Sequence, residues 1–257
     1  MALFVEERRR IILDQLQQHG RVSVAELSEA MQVSAVTIRQ DLRALEEEGL
    51  LDRTYGGAVS RSSSALPELS FHIRMGKRQH EKAAIAKAAA ALVSDGDTVA
   101  LDCSTTAYAM VEPLKRFRKL TIVTNSLIIA QSFLDSPHIH VLLPGGRLRR
   151  DSVSLVGGTN TLPEINLNIG FMGARGISMV GGISDVDADE VQMKSAMIAR
   201  CISTVVLVDG SKWGQVATYT FLKPEKVARI ITSDLAPPEL VAQFRNEGIC
   251  VDVVAAS

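Results

Sequence analysis

Aromatic side chains make up only 4% of this 257-residue chain, with one tryptophan, three tyrosines and seven phenylalanines. Its core must therefore be aliphatic, and a hydrophobic share of 46% supplies one. Cysteine is scarce too. Cys103, Cys201 and Cys250 lie far apart with no pairing pattern and no metal-ligand spacing, which argues against a disulfide scaffold and fits a reducing compartment. No run of about 18 uncharged apolar residues occurs, and residues 2–5 are too short a hydrophobic stretch for a signal peptide. These absences point to a cytoplasmic protein with no membrane partner. Net charge is missing as well: 28 basic and 29 acidic residues leave −1, so composition carries no pull toward nucleic acid. Even residues 1–61 hold eight arginines against ten carboxylates. Any case for DNA rests on where the charges sit.

What is present divides into two textures. Residues 1–58 carry the helical period. Ile12, Leu13 and Leu16 follow the arginines of a first helix that Gly20 ends, and Ser23 with Glu26 forms a capping box for a second, with Leu27, Ala30 and Met31 on one face. Val33 falls in a tight turn, Ser34 caps a third helix, Ile38, Leu42 and Leu45 make its buried stripe, and Gly49 stops it. Residues 59–80 read as a linker, serine-rich from Ser60 and closed by Pro67, with a basic patch at Arg74, Lys77 and Arg78. From 81 to 257 helical patterns alternate with β-branched runs. The strands are expected at 98–102, 120–125, 139–146, 168–173, 203–211, 229–235 and 248–254, and helices at 81–93, 105–117, 126–134, 187–201 and 237–246. That alternation predicts an α/β domain with a mainly parallel sheet and helices on both faces.

With the third helix's stripe inward, Val36, Gln40 and Arg43 point outward, flanked by Thr37 and Arg39. A small helix with a free N-terminal half, on a three-helix base, suits a major groove. There Arg pairs with guanine, Gln with adenine, and Val or Thr methyls with thymine. Arg8 and Arg9 on the first helix and Arg53 after the third are placed for phosphates, with Ser34 at the helix start. The stretch 50–54 can extend and Gly56-Gly57 can turn it back, making a wing that carries Arg53 and Tyr55. The same polar face also fits the solvated side of a small interaction module.

The spacing VS-x-x-TIR-x-DL-x-x-L-x-x-x-G-x-x-x-R-x-x-GGA over residues 33–58 resembles the winged helix-turn-helix of the DeoR family of bacterial transcriptional regulators, and the resemblance extends over nearly the whole chain. Gln40 stands where the family usually has Arg, and Tyr55 where it usually has His. Both lie on the expected DNA side. Asp41 reads as a structural partner for a nearby Arg.

In the second part, a strand ends in Asp102 and runs into Ser104, Thr105 and Thr106, whose hydroxyls and helix-start N–H groups suit an anion such as phosphate. Ligands of open α/β sheets sit beyond the carboxyl ends of strands. Asn125, Ser126, Gly145, Gly146, Asp209 and Lys212 all follow strands and are expected there. Taken singly, Ser-Thr-Thr is an ordinary cap and Gly-Gly an ordinary turn. The resemblance implies a DeoR-type sensor domain, similar in fold to ribose-5-phosphate isomerase, with a phosphorylated sugar or related metabolite as effector. It also marks Asp102 with residues 104–106, Lys194 and Ser211-Lys212 as family positions, while Asn168 departs from the family's Asp. Trp213 either lines the pocket or covers it.

The expectation is thus a transcriptional regulator, a repressor of sugar-catabolism genes, that binds a double-stranded DNA operator as a homodimer or homotetramer. No cofactor and no metal are expected. The rival is a sugar-phosphate isomerase-like enzyme carrying a DNA-binding domain. Aldose–ketose exchange needs a carboxylate base, yet 171–176 holds none and only Glu190 is available. The acidic run 185–190 lacks the Gly and Glu of a calcium loop; it reads as the first turn of the next helix.

Overall fold

A computed structural model describes residues 4–19, 21–48, 50–59 and 71–256. Gly20, Gly49 and the linker stretch 60–70 with Pro67, to which the sequence assigns helix stops and a joint, lie outside the described residues. The chain divides into two compact units, Met1–Leu69 and Ser70–Ser257.

The first unit holds α1 (Val5–His19), β1 (Arg21–Ser23), α2 (Val24–Met31), α3 (Ala35–Glu47), β2 (Asp52–Thr54) and β3 (Gly57–Val59). Ile12, Leu13 and Leu16 of α1 pack with Leu27 and Met31 of α2 and with Ile38, Leu42 and Leu45 of α3, all buried. Ala30 is exposed; Val24 takes its expected place inside. Ser23 starts α2 by accepting the Ala25 N–H. Ser34 starts α3 by accepting the Thr37 N–H at 3.1 Å. Strands β2 and β3 form the expected hairpin, and β3 also pairs with β1. The two turn glycines serve different needs. Gly56 sits at φ +90, whereas a Cβ on Gly57 would fall 2.0 Å from the Val22 carbonyl oxygen.

In chain order the second unit opens with α4 (Phe71–Gly76), α5 (Gln79–Ala90), β4 (Thr98–Leu101), α6 (Thr105–Tyr108), α7 (Val111–Leu114), β5 (Leu120–Thr124), α8 (Leu127–Ser132) and β6 (Ile139–Leu142). It continues with β7 (Arg147–Arg149), β8 (Ser154–Val156), β9 (Leu167–Gly173), β10 (Gly176–Ser178), β11 (Gly182–Asp185), α9 (Ala188–Ile198) and β12 (Cys201–Val208). It closes with β13 (Tyr219–Leu222), β14 (Arg229–Ser233), α10 (Pro238–Asn246) and β15 (Cys250–Val254). All seven expected strands enter one parallel sheet, in the order β15-β14-β12-β9-β4-β5-β6.

Alternation along each strand feeds two cores. Leu101, Ile122, Val205 and Leu207 face α5 to α8, while Ala100, Val123, Val206 and Val208 face α9 and α10. The chain steps outward from β4 to β6, then returns to lay β9 beside β4 and steps outward the other way. The order of strands therefore reverses between β4 and β9, the topological position at which open α/β sheets take their ligands.

Three features differ from the sequence expectation. The helix expected at 105–117 is two single turns, α6 and α7. Residues 71–80, assigned to the linker, belong to the second unit, because Phe71 is fully buried with its ring edge-on to Tyr108. Two antiparallel pieces were not expected: the β7–β8 hairpin and a three-stranded sheet of β10, β11 and β13.

Candidate functional site

Val36, Arg39, Gln40 and Arg43 form the exposed face of α3, with Val36 60% exposed. Thr37 is half-buried and shares its hydroxyl with Ser34 at 2.8 Å, so both residues serve the helix start. Arg43 leans toward Glu47 at 3.8 Å, a pair too exposed to hold it. The wing is tied to α3 by Glu46, which accepts the Arg53 N–H at 3.1 Å and lies 3.4 Å from its guanidinium. Tyr55 stands fully exposed at the wing tip. Asp41, on the inner side of α3, is buried and receives Arg8 at 2.8 Å and Arg9 at 3.4 Å. Asp41 is thus the structural partner that the sequence suggested.

At the crevice between β4 and β9, Asp102 is fully buried. One of its oxygens accepts the Ser104 N–H at 3.0 Å; the other accepts the Gly173 N–H at 2.9 Å and meets the Lys194 ammonium at 3.0 Å. Lys194 also bonds Asp185 at 2.5 Å and the Gly173 carbonyl at 2.8 Å. Burial works against the Lys194 charge, but Asp102 and Asp185 outweigh it and hold the pKa above the ordinary lysine value. Asp185 titrates below its ordinary value: burial opposes that shift, while Lys194 and Arg175 drive it. Strand and loop meet closely here, since a Cβ on Gly173 would sit 2.3 Å from the Ser104 hydroxyl.

One strand further along, at the ends of β12 and β14, the charge is mostly positive. Glu81 of α5 accepts the Gly210 N–H at 2.9 Å, the Ser233 hydroxyl and the Arg78 guanidinium at 2.7 Å. Asp209 lies 3.8 Å from Arg78. Lys82 and Lys212 crowd the same place. Lys82 is pushed down to about 8, chiefly by burial and then by Lys212 and Arg74 against the pull of Asp209. Lys212 is lowered by burial, with Arg175, Arg74 and Arg78 adding repulsion and Asp209 opposing. Lys82 and Lys212 thus stand among further cations, of which Arg78 faces Glu81 and Asp209, and Arg175 faces Asp185, and such a group can receive an anion.

Comparison with known proteins bears on both units. Residues 8–64 match the model of the DeoR-like helix-turn-helix domain, and residues 77–234 match the DeoR C terminal sensor domain. The chain belongs to the DeoR family of transcriptional regulators. It is 35% identical over 253 residues to the HTH-type transcriptional regulator GolR of Listeria innocua, covering 98% of this chain and 99% of that one. It is 37% identical to the HTH-type regulator YgbI of Escherichia coli K12, over 90% and 91% of the two chains. It is 33% identical to the glycerol-3-phosphate regulon repressor of the same organism, over 94% and 95%. Among solved structures, ribose 5-phosphate isomerase A from Methanocaldococcus jannaschii covers 51% of this chain and 53% of its own. Its identity of 22% and TM-score of 0.38 are too loose to carry over any of its chemistry.

Within this DeoR regulator the expected site residues divide. Arg8 was placed among the phosphate contacts but is buried and spent on Asp41. Lys194, placed among the effector contacts, has its three N–H donors on Asp102, Asp185 and the Gly173 carbonyl. With Asp102 and Asp185 it forms a buried ion-pair network. The Ser104 hydroxyl is taken by the Ala107 N–H, and α6 is a single turn, so the dipole expected of a long helix is small. Thr105 and Thr106 are buried beside it.

Asn125 and Ser126 end β5 but turn toward the β7–β8 hairpin and the start of α8: Asn125 donates to the Leu155 carbonyl at 3.1 Å and Ser126 caps α8. Gly145 and Gly146 allow close backbone packing. A Cβ on Gly146 would lie 2.5 Å from the Val156 carbonyl oxygen, and the Gly145 N–H bonds Thr161 at 2.6 Å. Trp213 covers: it is buried, bonded to Thr232 at 2.8 Å and edge-on to Phe244. Asp209 and Lys212 stand where expected, at the end of β12.

Sequence reasoning missed Lys82 and Arg175, and it left Arg74 and Arg78 in the linker. The basic patch was visible; its destination depended on α4 folding back onto the strand ends. The acidic run 185–190 finds basic partners: Arg149 meets Asp187 at 2.6 Å and Glu190 at 3.2 Å, and Arg147 meets Asp189 at 2.6 Å.

Proposed function

We propose that this regulator represses genes of sugar catabolism and is released from its operator by a phosphorylated metabolite whose phosphate binds beyond the carboxyl ends of β12 and β14. The crowding of Lys82 and Lys212 by Arg74, Arg78 and Arg175, with Arg78 3.8 Å from Asp209, carries the reading. A phosphate dianion relieves their mutual repulsion, while an uncharged polyol does not. Asn125 offers a buried carbonyl oxygen with no hydrogen-bond donor among the described residues, suited to a hydroxyl of the ligand.

On the DNA side, Val36, Thr37, Arg39, Gln40 and Arg43 read bases in the major groove, while Arg9, Ser34, Arg53 and Tyr55 meet the backbone. Paired half-sites require a homodimer or homotetramer, because a single head offers few contacts. The protein works in the cytoplasm, where operator and phosphorylated metabolites meet. We assign it no catalysis. Glu190 is held by Arg149 at 3.2 Å and is not placed as a free base.

The test is fluorescence anisotropy with an operator selected from a random DNA library, titrated with phosphate esters and their unphosphorylated counterparts. The reading expects a phosphate ester to weaken binding and its alcohol to leave binding unchanged. By reciprocity, operator must weaken that ester by the same factor. Indifference of the operator complex to every ester that the protein binds overturns it.

A further inference from the structure

We propose that α4 is the element through which an anion at the ends of β12 and β14 acts on the segment leading to the DNA-binding unit, because Arg74, Arg78 and Lys82 belong at once to the anion-facing cluster and to the seat of that helix. This rests on the effector reading above and adds how the site communicates. Helix α4 is the first element of its unit and in sequence directly follows residues 60–70. At six residues it cannot be stable alone, so its docking contacts decide whether it stays formed.

Several contacts hold it, among them the Arg74 guanidinium 5.9 Å from the centre of the Phe71 ring. Phe71 is buried against Tyr108, and its N–H bonds the Asp151 carbonyl at 2.7 Å. The far end is held by Lys82, whose ammonium donates to the Arg74 carbonyl at 2.6 Å and to the Lys77 carbonyl. Next comes Arg78 at φ +52, a left-handed conformation that costs a non-glycine residue energy and is kept here by Glu81. The turn between α4 and α5 is thus a strained hinge.

Like charges at Arg74, Arg78, Lys82 and Lys212 oppose this arrangement when the crevice is empty. An anion among them reverses the sign. It draws Arg74 inward, adds a charge-assisted bond to the Lys82 ammonium and seats α4 more firmly. Occupation of the crevice is thereby converted into order at the start of the unit.

The experiment is hydrogen exchange on the full chain over peptides spanning 71–78, with inorganic phosphate or glycerol 3-phosphate against chloride at matched ionic strength. Thermal midpoints are read in parallel. The phosphate probe should raise the midpoint of the wild type, leave that of Lys212→Met unmoved, and slow exchange over 71–78 by about tenfold, the factor one charge-assisted bond supplies. In Arg74→Gln, which takes one cation from the cluster, the midpoint rise should shrink but persist while the exchange response disappears. A midpoint rise with unchanged exchange over 71–78 overturns the coupling and leaves the effector reading standing. An exchange response that survives Arg74→Gln also overturns the coupling. No midpoint rise with either probe overturns both.

Discussion

Replacing Lys194 by methionine removes the ammonium and keeps most of the side chain's volume. Two carboxylates, Asp102 and Asp185, then stay buried without the cation now 3.0 and 2.5 Å from them. Removing one partner from a buried ion pair costs about 3–5 kcal/mol. Here the lower end applies, since Asp102 keeps two backbone N–H donors and Asp185 keeps Arg175 at 3.8 Å and the Val186 N–H. For a unit of this size about 3 kcal/mol lowers the thermal midpoint by roughly 6–12 °C.

The pH dependence carries the sharper test. In the wild type the folded pKa of Asp185 is depressed, so its contribution is present above the unfolded value and lost as pH falls through the folded one. Without Lys194, burial of Asp185 favours its protonated form, so the penalty is largest at neutral pH and shrinks on acidification toward pH 5. Differential scanning fluorimetry of wild type and Lys194→Met at pH 7.5 and 5 measures both effects, and adding Asp185→Asn should recover part of the loss. A fall of less than about 2 °C, or one of the same size at both pH values, would refute the buried network and return Lys194 to the ligand.

Three further outcomes separate roles that the sequence could not. Arg8→Ala should cost the DNA-binding unit about 3 kcal/mol by leaving buried Asp41 with Arg9 alone at 3.4 Å, whereas Gln40→Ala should leave unfolding within about 0.5 kcal/mol and relax sequence preference; equal midpoints for the two would remove Asp41 as the reason. Lys82, held near 8 by burial and neighbouring cations, should take up about half a proton when a phosphate ester binds at pH 8 and almost none at pH 6.5. Calorimetry in buffers of different ionisation enthalpy reads that proton, Lys82→Met should abolish it, and identical heats in all buffers at pH 8 count against the site. Gly57→Ala should unseat the wing, since no rotamer moves its Cβ away from the Val22 carbonyl oxygen; urea unfolding of the variant with an unshifted midpoint contradicts that packing.

Local pattern and long-range position were unequally legible. The stripe Ile38, Leu42, Leu45 has one helical solution, and seven β-branched runs separated by helical ones have few sheet solutions, so α1 to α3 and the parallel sheet follow from periodicity. The small sheet of β10, β11 and β13 does not, because β13 joins it from 34 residues beyond the end of β11, across α9 and β12.

The site follows the same divide. Asp209 and Lys212 sit at a strand end and could be placed from the strand alone. Arg8 and Arg9 are sequence neighbours with the same chemistry, yet Arg8 is sealed against Asp41 while Arg9 is partly open, and the pattern of charges around residues 6–10 does not say which. Lys194 is expected among the effector contacts only because it matches a position of the family. What speaks against that expectation is stoichiometry: an ammonium has three donors, and two carboxylates and a carbonyl take them. Arg74 and Arg78 erred the other way. A basic run beside a serine-rich stretch looks solvated until Phe71, one of only seven phenylalanines, buries its ring and carries them onto the strand ends. In a chain so poor in aromatics, one buried ring decides which unit the residues after it belong to.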